Sequence, residues 1–231
     1  MIRVGDTWVW KERRGDVEVL FTGRGPAGER DAVLRRIDPA APQVAWAKQI
    51  HSAQVLPAAA PGLQGEGDAL ISASEGLALC VVTADCVPVL LAGPDGLAAV
   101  HAGWRGIAGG VIPATLASRT DLAQWTAWVG PAIGACCYEV GPEVAEQVAA
   151  ASDPLVVQSR GPGQKPHLDL HAAVRHQLTA AGVGEVVCVP GCTQCDTERL
   201  WSYRREGARA GRNHAFIWRE TLAAGPGGGS R

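Results

Sequence analysis

Cys86 and His101 are two residues whose side chains and spacing suggest chemistry. Both lie in segments with the pattern of neighbouring strands, where diagonal neighbours are roughly 7–8 Å apart at the backbone. A Zn²⁺ ion with bonds of about 2.3 Å to sulfur and about 2.0 Å to nitrogen could bridge that gap. A thiolate–imidazole contact could also form if the strand ends bend slightly. The pair therefore predicts either a metal site or a cysteine–histidine pair.

A β-hairpin must position these two residues. Two apolar runs, residues 87–92 and 97–100, flank the turn sequence Gly-Pro-Asp-Gly at 93–96. A symmetric turn places Ala92 opposite Leu97 and Pro88 opposite His101, with Cys86 and His101 on the same face. Because Pro88 cannot donate a hydrogen bond, we expect regular pairing to end or bulge there.

The segment after His101 has a composition suited to a binding site. It reads His-Ala-Gly-Trp-Arg-Gly, so glycines flank Trp104 and Arg105. Trp104 could stack on a planar ring, and Arg105 could neutralise an anion. Alternatively, the tryptophan belongs to the core and the arginine extends to the surface. Spacing alone favours neither interpretation.

Two further positions could contribute polar groups. His51 follows a predicted strand over residues 43–50, where a histidine can also be a simple polar cap. Residues 23–28 read Gly-Arg-Gly-Pro-Ala-Gly, formally a dinucleotide-binding pattern. Pro26 lacks the N–H that such a loop needs, and no acidic residue ends the following strand. This segment is predicted to be a flexible turn, or a smaller anion loop that carries Arg24.

The remaining cysteines suggest less. Cys188, Cys192 and Cys195 have a C-x3-C-x2-C spacing, but as a zinc site they lack a clear fourth ligand. They are interpreted as incidental thiols at a strand end. Cys136 and Cys137 are neighbours that cannot easily bond to each other, so one is expected to face a site and the other the core. Seven cysteines in all fit reduced thiols better than a disulfide framework.

Composition excludes several classes of protein. With 231 residues, 47% hydrophobic and 19% charged, the chain is typical of one large globular domain. A formal net charge of −2 gives no basic surface for nucleic acid. No apolar run approaches the roughly 18 residues of a membrane span, and the N-terminus lacks a signal-peptide core. We therefore expect a cytoplasmic protein without nucleic-acid or membrane partners.

Strand patterns outnumber helical patterns along the chain. Residues 57–67 and the glycines after Arg105 are predicted to be loops, the second leading into a helix over residues 111–118. Pro142 and Asp169 can each begin a helix. The mixed order of elements favours α+β layers over a Rossmann sheet. Residues 1–224 are expected to form one domain, and the glycine-rich residues 225–231 a flexible tail.

Several segments together resemble one family. They are His51-Ser, Gly67-Asp-Ala-Leu-Ile, Thr83-Ala-Asp-Cys-Val-Pro-Val, Ala99-Val-His-Ala-Gly-Trp-Arg-Gly, Gly130-Pro-Ala-Ile-Gly-Ala-Cys-Cys-Tyr-Glu-Val-Gly, Cys192-Thr and Ser202-Tyr-Arg-Arg. This combination, from His51 to about Arg212, closely resembles the YfiH/PgeF family, also called the laccase-domain or polyphenol-oxidase family. The first 40 residues fit poorly, so a substrate role for Arg24 has little support from the resemblance.

The resemblance implies a fold and a metal centre. The fold would be a single-domain layered α/β/β/α sandwich of mixed sheets. Two histidines and a cysteine would bind zinc, and by motif these are His51, Cys86 and His101. Three protein ligands leave one zinc position open, as in catalytic sites.

The resemblance also implies activity on purine nucleosides. This would be phosphorolysis of adenosine, inosine or methylthioadenosine, together with deamination of adenosine. Deamination needs a carboxylate to move protons, for which Asp68, Asp85 and Glu139 are candidates. Phosphorolysis needs an anion pocket, for which Arg105 is the first choice, with Trp104 and Arg24 as further substrate contacts.

Three alternative functions stay open at this point. A copper polyphenol oxidase would need many histidines, and the chain has six. A cysteine hydrolase would use Cys86 as nucleophile and His101 as base. A non-catalytic role in peptidoglycan editing is suggested by a second name of the family. The protein is expected to be a monomer or a weak oligomer.

Overall fold

Two β-sheets lie face to face at the centre of the computed structural model, which describes residues 1–221. The larger has seven strands, in the spatial order β1 (Ile2–Val4), β2 (Thr7–Arg14), β3 (Val17–Thr22), β15 (Asn213–Arg219), β8 (Leu77–Thr83), β4 (Gln43–Lys48) and β6 (Gly62–Glu66). The smaller has six, in the order β14 (Glu185–Cys188), β11 (Thr126–Val129), β9 (Val87–Gly93), β10 (Gly96–Ala102), β7 (Ala69–Ser72) and β5 (Val55–Pro57). A short pair, β12 (Val157–Gln158) and β13 (His167–Leu168), lies apart from both.

Helices cover the outer faces of both sheets. They are α1 (Arg30–Ile37), α2 (Trp104–Ala108), α3 (Val111–Leu116), α4 (Pro142–Ala150) and α5 (Leu170–Ala180), whereas α6 (Tyr203–Glu206) buries none of its residues. Short 3₁₀ turns occur at Leu122–Gln124, Pro154–Val156 and Gly207–Arg209. Asp169 begins α5 as predicted, because its carboxylate accepts a hydrogen bond from the Ala172 N–H at 2.9 Å.

Three apolar layers hold the sheets and helices together. Leu79 and Leu90 belong to the core between the two sheets, Val100 and Ile107 to the core between the six-stranded sheet and its helices, and Leu34 to the core under α1. The long apolar runs of β8, β9 and β10 are buried on both faces, which is why they do not alternate with polar residues. The predicted layered α+β fold is confirmed.

The central hairpin has the predicted register. Ala92 pairs with Leu97, and Pro88 pairs with His101. The expected interruption at Pro88 is wrong, because pairing continues to Val87. The carbonyl of Pro88 accepts the N–H of Gly130, so the polar edge of this residue faces the end of β11 rather than β10. The missing N–H of proline therefore costs β9–β10 no hydrogen bond.

Two predicted loops contain regular structure. Residues 57–67 include β6, which pairs parallel with β4 despite its glycines. The helix α2 begins at Trp104, after an extended Gly103, and includes the first glycine of the loop that was expected after Arg105. Within residues 1–221, no helix is long and apolar enough to cross a membrane. The predicted tail 225–231 lies outside the described residues.

Candidate metal centre and pocket

Three strand ends bring His51, Cys86 and His101 together. His51 follows β4, Cys86 directly precedes β9, and His101 is the second-last residue of β10. Their potential ligand atoms all lie within 4.8 Å of one another. The two imidazole rings meet edge to face with centroids 4.8 Å apart. The structure thus assembles the three residues that the family resemblance implied as ligands.

The backbone around these residues is specialised. His51 has a φ of 60° and Asp85 a φ of 97°, both in the left-handed region that non-glycine residues rarely adopt. Such conformations cost on the order of 1–3 kcal/mol each and concentrate at functional sites. A Cβ at Gly103 would lie 3.1 Å from both Cys86 Sγ and His51 Cδ2. Glycine at this position therefore leaves room for the two side chains.

Asp68 is the buried residue that orients the centre. Its carboxylate accepts hydrogen bonds from the N–H groups of Ile50, His51 and Ser52 at 2.6–3.2 Å, and from the Ser52 hydroxyl at 2.8 Å. It also lies 2.8 Å from His101 Nδ1. Burial opposes ionisation, but the hydrogen bonds with His101 and Ser52 outweigh it and lower the pKa of the carboxyl group to about 2. The Asp68 carboxylate thus touches His101 and does not line the pocket.

The cysteine and histidine stabilise each other as charged groups. Burial raises the pKa of Cys86, but hydrogen bonds with His101 and His51 dominate and lower it to about 6. Burial likewise lowers the pKa of His101, and the hydrogen bonds with Asp68 and Cys86 raise it to about 9. A thiolate at Cys86 is the form needed both for metal ligation and for nucleophilic attack.

A pocket of about 650 Å³ opens above the three residues. Such a volume accommodates a ligand of nucleoside or drug size. Five cationic side chains contribute to its lining, from Arg30, Lys48, Arg105, Arg204 and Arg212. Four aromatic residues also line it, namely Trp46, Trp104, Tyr138 and Tyr203. The pocket therefore combines a thiolate–imidazole floor with an excess of positive charge.

The predicted substrate contacts Trp104 and Arg105 both line this pocket. The guanidinium carbon of Arg105 lies 4.4 Å from the centroid of the Trp104 ring. Asp85 lines the pocket as well, and its two carboxylate oxygens accept the Thr193 hydroxyl at 2.5 Å and the Arg204 N–H at 2.6 Å. Asp85 thereby links the loop of Thr193 and the first turn of α6 to the centre.

Two other predicted residues lie elsewhere. Arg24 forms an ion pair with Glu206 and packs over Trp201, with its guanidinium carbon 4.0 Å from the ring centroid. Glu139 is exposed, lies 3.7 Å from Lys165 and offers its carbonyl to the Arg204 side chain at 3.0 Å. Neither residue contributes to the pocket lining.

Sequence reasoning missed most of the positive charge. Arg204 and Tyr203 belong to the Ser202-Tyr-Arg-Arg segment that carried the resemblance, which is a signal that could have singled them out. Arg30 and Lys48 have no such signal, because their segments show only helix and strand patterns. Arg205 of the same segment supports the loops instead, donating to the carbonyls of Thr193 and Gln194 at 2.5 and 2.9 Å.

Comparison with known proteins places this site in context. A protein of Streptomyces coelicolor named purine nucleoside phosphorylase is 40% identical over 193 residues, which is 79% of this chain and 76% of that protein. A Deinococcus radiodurans protein of the same name is 41% identical over 186 residues, 77% and 71% of the two chains. The Escherichia coli protein named purine nucleoside phosphorylase YfiH is 36% identical over 177 residues, 75% and 72% of the two chains.

Solved structures and a family model agree with these relatives. A Neisseria meningitidis protein superposes with a TM-score of 0.80 and 31% identity, covering 92% of this chain and 99% of that one. The YlmD protein of Geobacillus stearothermophilus gives a TM-score of 0.78 and 27% identity, covering 90% and 93%. Residues 27–220 match the family model described as multi-copper polyphenol oxidoreductase laccase. The chain therefore belongs to this laccase-domain family, the YfiH/PgeF family, whose members include proteins named purine nucleoside phosphorylase.

Proposed function

We propose that this protein is a zinc-dependent purine nucleoside phosphorylase that also deaminates adenosine. Its substrates would be adenosine, inosine or methylthioadenosine, together with phosphate. The observation that carries the proposal is the pocket itself, in which five cationic side chains surround a cysteine and two histidines. The names of the relatives support the same activity.

The donor set fits a zinc ion. His51, Cys86 and His101 would hold it, with Asp68 fixing the tautomer of His101 through Nδ1. When bound, the ion supplies a Lewis acid at the floor of the pocket. Of the six histidines in the sequence, two join this group, whereas His167 and His171 hydrogen-bond to backbone carbonyls. This distribution favours zinc over a multicopper centre.

The cations of the pocket would bind and orient phosphate. In phosphorolysis, a phosphate oxygen attacks C1′ of the ribose while the C1′–N9 bond breaks. The electron pair of that bond leaves with the purine, which takes up a proton. Arg105 and Arg204 line the pocket and would neutralise the phosphate at the moment of attack. The aromatic rings of Trp104 and Tyr138 offer apolar surface for the base.

Deamination would require a group that moves protons. Among Asp68, Asp85 and Glu139, Asp85 lines the pocket, so we assign the role to Asp85. Asp68 is buried beside His101 and would act through that ring, and Glu139 does not line the pocket. Arg24 likewise does not line the pocket, and it pairs with Glu206 instead.

The test is incubation of the purified protein with adenosine and phosphate, followed by chromatography. We expect adenine and ribose 1-phosphate, with inosine from deamination. Arg105→Gln should raise the KM for phosphate about 10-fold, the equivalent of one charge-assisted hydrogen bond. Arg35→Gln, on the exposed face of α1, is the matched control and should leave the KM unchanged. Absence of all these products from a zinc-loaded protein would instead favour a non-catalytic role.

A cysteine hydrolase is the second candidate. Its specific support is the array Asp68–His101–Cys86, in which a carboxylate orients the histidine and the thiol has a pKa of about 6. The two functions differ in metal content, since a metal-bound thiolate is not a free nucleophile. Rapid alkylation of Cys86 by iodoacetamide in the protein as isolated would favour the hydrolase, and protection from alkylation by zinc the phosphorylase.

A further inference from the structure

A second cluster of thiols lies outside the pocket. Cys136, Cys137, Cys192 and Cys195 have sulfur atoms that all lie within 4.8 Å of one another. Cys195 Sγ is 3.7 Å from Cys136 Sγ and 3.3 Å from Cys137 Sγ. Cys192 and Cys195 were interpreted as incidental thiols that lack a clear fourth ligand. This interpretation is wrong, because two more cysteines join them to make a group of four. Two further cysteines, 55 to 59 residues earlier in the chain, meet them in space.

We propose that these four cysteines form a structural zinc site. A tetrahedral ion with zinc–sulfur bonds of about 2.3 Å requires sulfur atoms about 3.8 Å apart. The 3.7 Å separation of Cys136 and Cys195 matches that edge, whereas a disulfide would need about 2.05 Å. Four thiols in so small a volume leave space for one ion, and a Cys₄ set selects zinc or a similar soft metal.

The backbone around the cluster is arranged for thiolate ligands. The N–H of Gly134 points at Cys192 Sγ at 3.2 Å, the kind of contact that orients a ligand and stabilises its charge. A Cβ at Gly134 would lie 3.2 Å from Cys136 Sγ and 3.4 Å from Cys192 Cβ, so glycine keeps this space free. Cys136 and Cys195 are exposed, which gives an ion a direct route from solvent.

The cluster joins the two loops that follow neighbouring strands. β11 and β14 run parallel, and the pairing continues beyond their ends as a bridge between Ala132 and Cys192. Because the carboxyl ends of parallel strands meet at one edge, the loops that contain Cys136 and Cys192 emerge side by side. An ion bound there would hold these loops in a fixed relation.

One of these loops contributes to a wall of the pocket, and the other contacts that wall through Asp85. Cys137 is followed by Tyr138, which lines the pocket. Cys192 is followed by Thr193, whose hydroxyl donates to Asp85 at 2.5 Å. The guanidinium carbon of Arg204 lies 5.0 Å from the centroid of the Tyr138 ring, closing the wall. The proposed ion therefore fixes the geometry of the pocket without touching its ligand.

Metal content in a Cys86→Ala background tests the proposal independently of any nucleoside activity. After incubation with zinc and gel filtration, this variant should retain about one equivalent of zinc per chain. Adding Cys195→Ser should remove it, whereas adding Cys188→Ser, at an exposed cysteine outside the cluster, should not. Retention of no zinc by the Cys86→Ala protein would overturn the proposal.

Spectroscopy and alkylation complete the test. Cobalt added to the Cys86→Ala protein should give intense sulfur-to-metal charge-transfer bands that Cys195→Ser abolishes.

If Cys195→Ser does not fold, alkylation of the unsubstituted protein tests the site instead. Its four cluster thiols should resist alkylation with zinc present and react once a chelator removes it, while Cys188 reacts in both conditions. Equal alkylation with and without zinc, or loss of two hydrogens from the intact mass by disulfide formation, would contradict the site.

Discussion

Asp68 shows how a single buried carboxylate can organise a site that it does not face. It receives three backbone N–H groups from residues 50–52 and contacts His101 from the opposite side. It therefore fixes the segment that carries His51 as well as the ring orientation of His101. Such partners behind metal-binding histidines commonly matter nearly as much as the ligands.

Substitution of Asp68 tests this positioning role. In Asp68→Asn, an amide group replaces one carboxylate oxygen, so N–H donors lose an acceptor and His101 loses its charged partner. We predict that zinc affinity at the first centre falls about 10- to 100-fold. The measurement is competition with a chromophoric chelator in a protein that also carries Cys195→Ser, which removes the second cluster.

The matched control is Asp95→Asn, because Asp95 lies in the turn of the same hairpin and pairs only loosely with Arg119 at 3.5 Å. It should leave the zinc affinity unchanged. If Asp68→Asn lowers the melting temperature and yet binds zinc as tightly as the control, Asp68 stabilises the fold without orienting the ligands.

At the scale of elements, the ends of strands bring the residues of both clusters together. β9 and β10 deliver Cys86 and His101, and the ends of β11 and β14 deliver the two cysteine-bearing loops. The sheets must pack closely at these ends for the loops to meet. Gly130, directly after β11, is one such point, because a side chain there would meet the ring of Phe21 in the opposite sheet.

Gly130→Ala should destabilise the protein by about 1–3 kcal/mol. An added Cβ would lie 2.8 Å from Pro88 Cγ and closer still to the ring of Phe21, both parts of the rigid interior. Gly28→Ala is the control, because the one atom that its Cβ would meet closely is the flexible end of the Arg36 side chain, at 2.7 Å. Urea denaturation compares the two variants. Equal free energies of unfolding in the two variants would contradict the prediction, because the sheets would then have room for a Cβ at this edge.

At the scale of the whole molecule, local patterns were predictable and long-range pairings were not. The hairpin register follows from a short turn and two apolar runs, and it is confirmed to the residue. The meeting of Cys136 with Cys195 depends on the parallel pairing of β11 with β14, which no local spacing reveals. The ligand set came from the family resemblance, since the sequence by itself gave His51 no more than the role of a polar cap.

The net charge of the chain also gave no indication that the pocket is positively charged. The chain carries a formal net charge of −2, yet five cationic side chains converge on one pocket. Converging like charges act on the sheet behind them as well as on a ligand. Burial is the first cause that lowers the pKa of His214 in β15, and Arg30 and Arg212 of the pocket, with Arg36 of α1, lower it further. Positive charge that converges on the pocket thus opposes protonation in the sheet behind it, which costs stability in acid.

Lowering the pH should therefore lower the free energy of unfolding. Burial, together with these arginines, lowers the pKa of His214 to about 4. The unfolded chain, with an ordinary histidine pKa of about 6.5, takes up more protons than the folded protein between about pH 6.5 and pH 4. The free energy of unfolding should therefore fall as the pH is lowered through this window, with His214 contributing at most about 3 kcal/mol. His214→Gln removes that contribution, so urea denaturation at pH 7 and pH 4.5 should show a weaker pH dependence than in the unsubstituted protein.

His176→Gln, at an exposed histidine of α5, should keep the full dependence. Identical pH dependence in His214→Gln and the unsubstituted protein would show that acid acts through other groups.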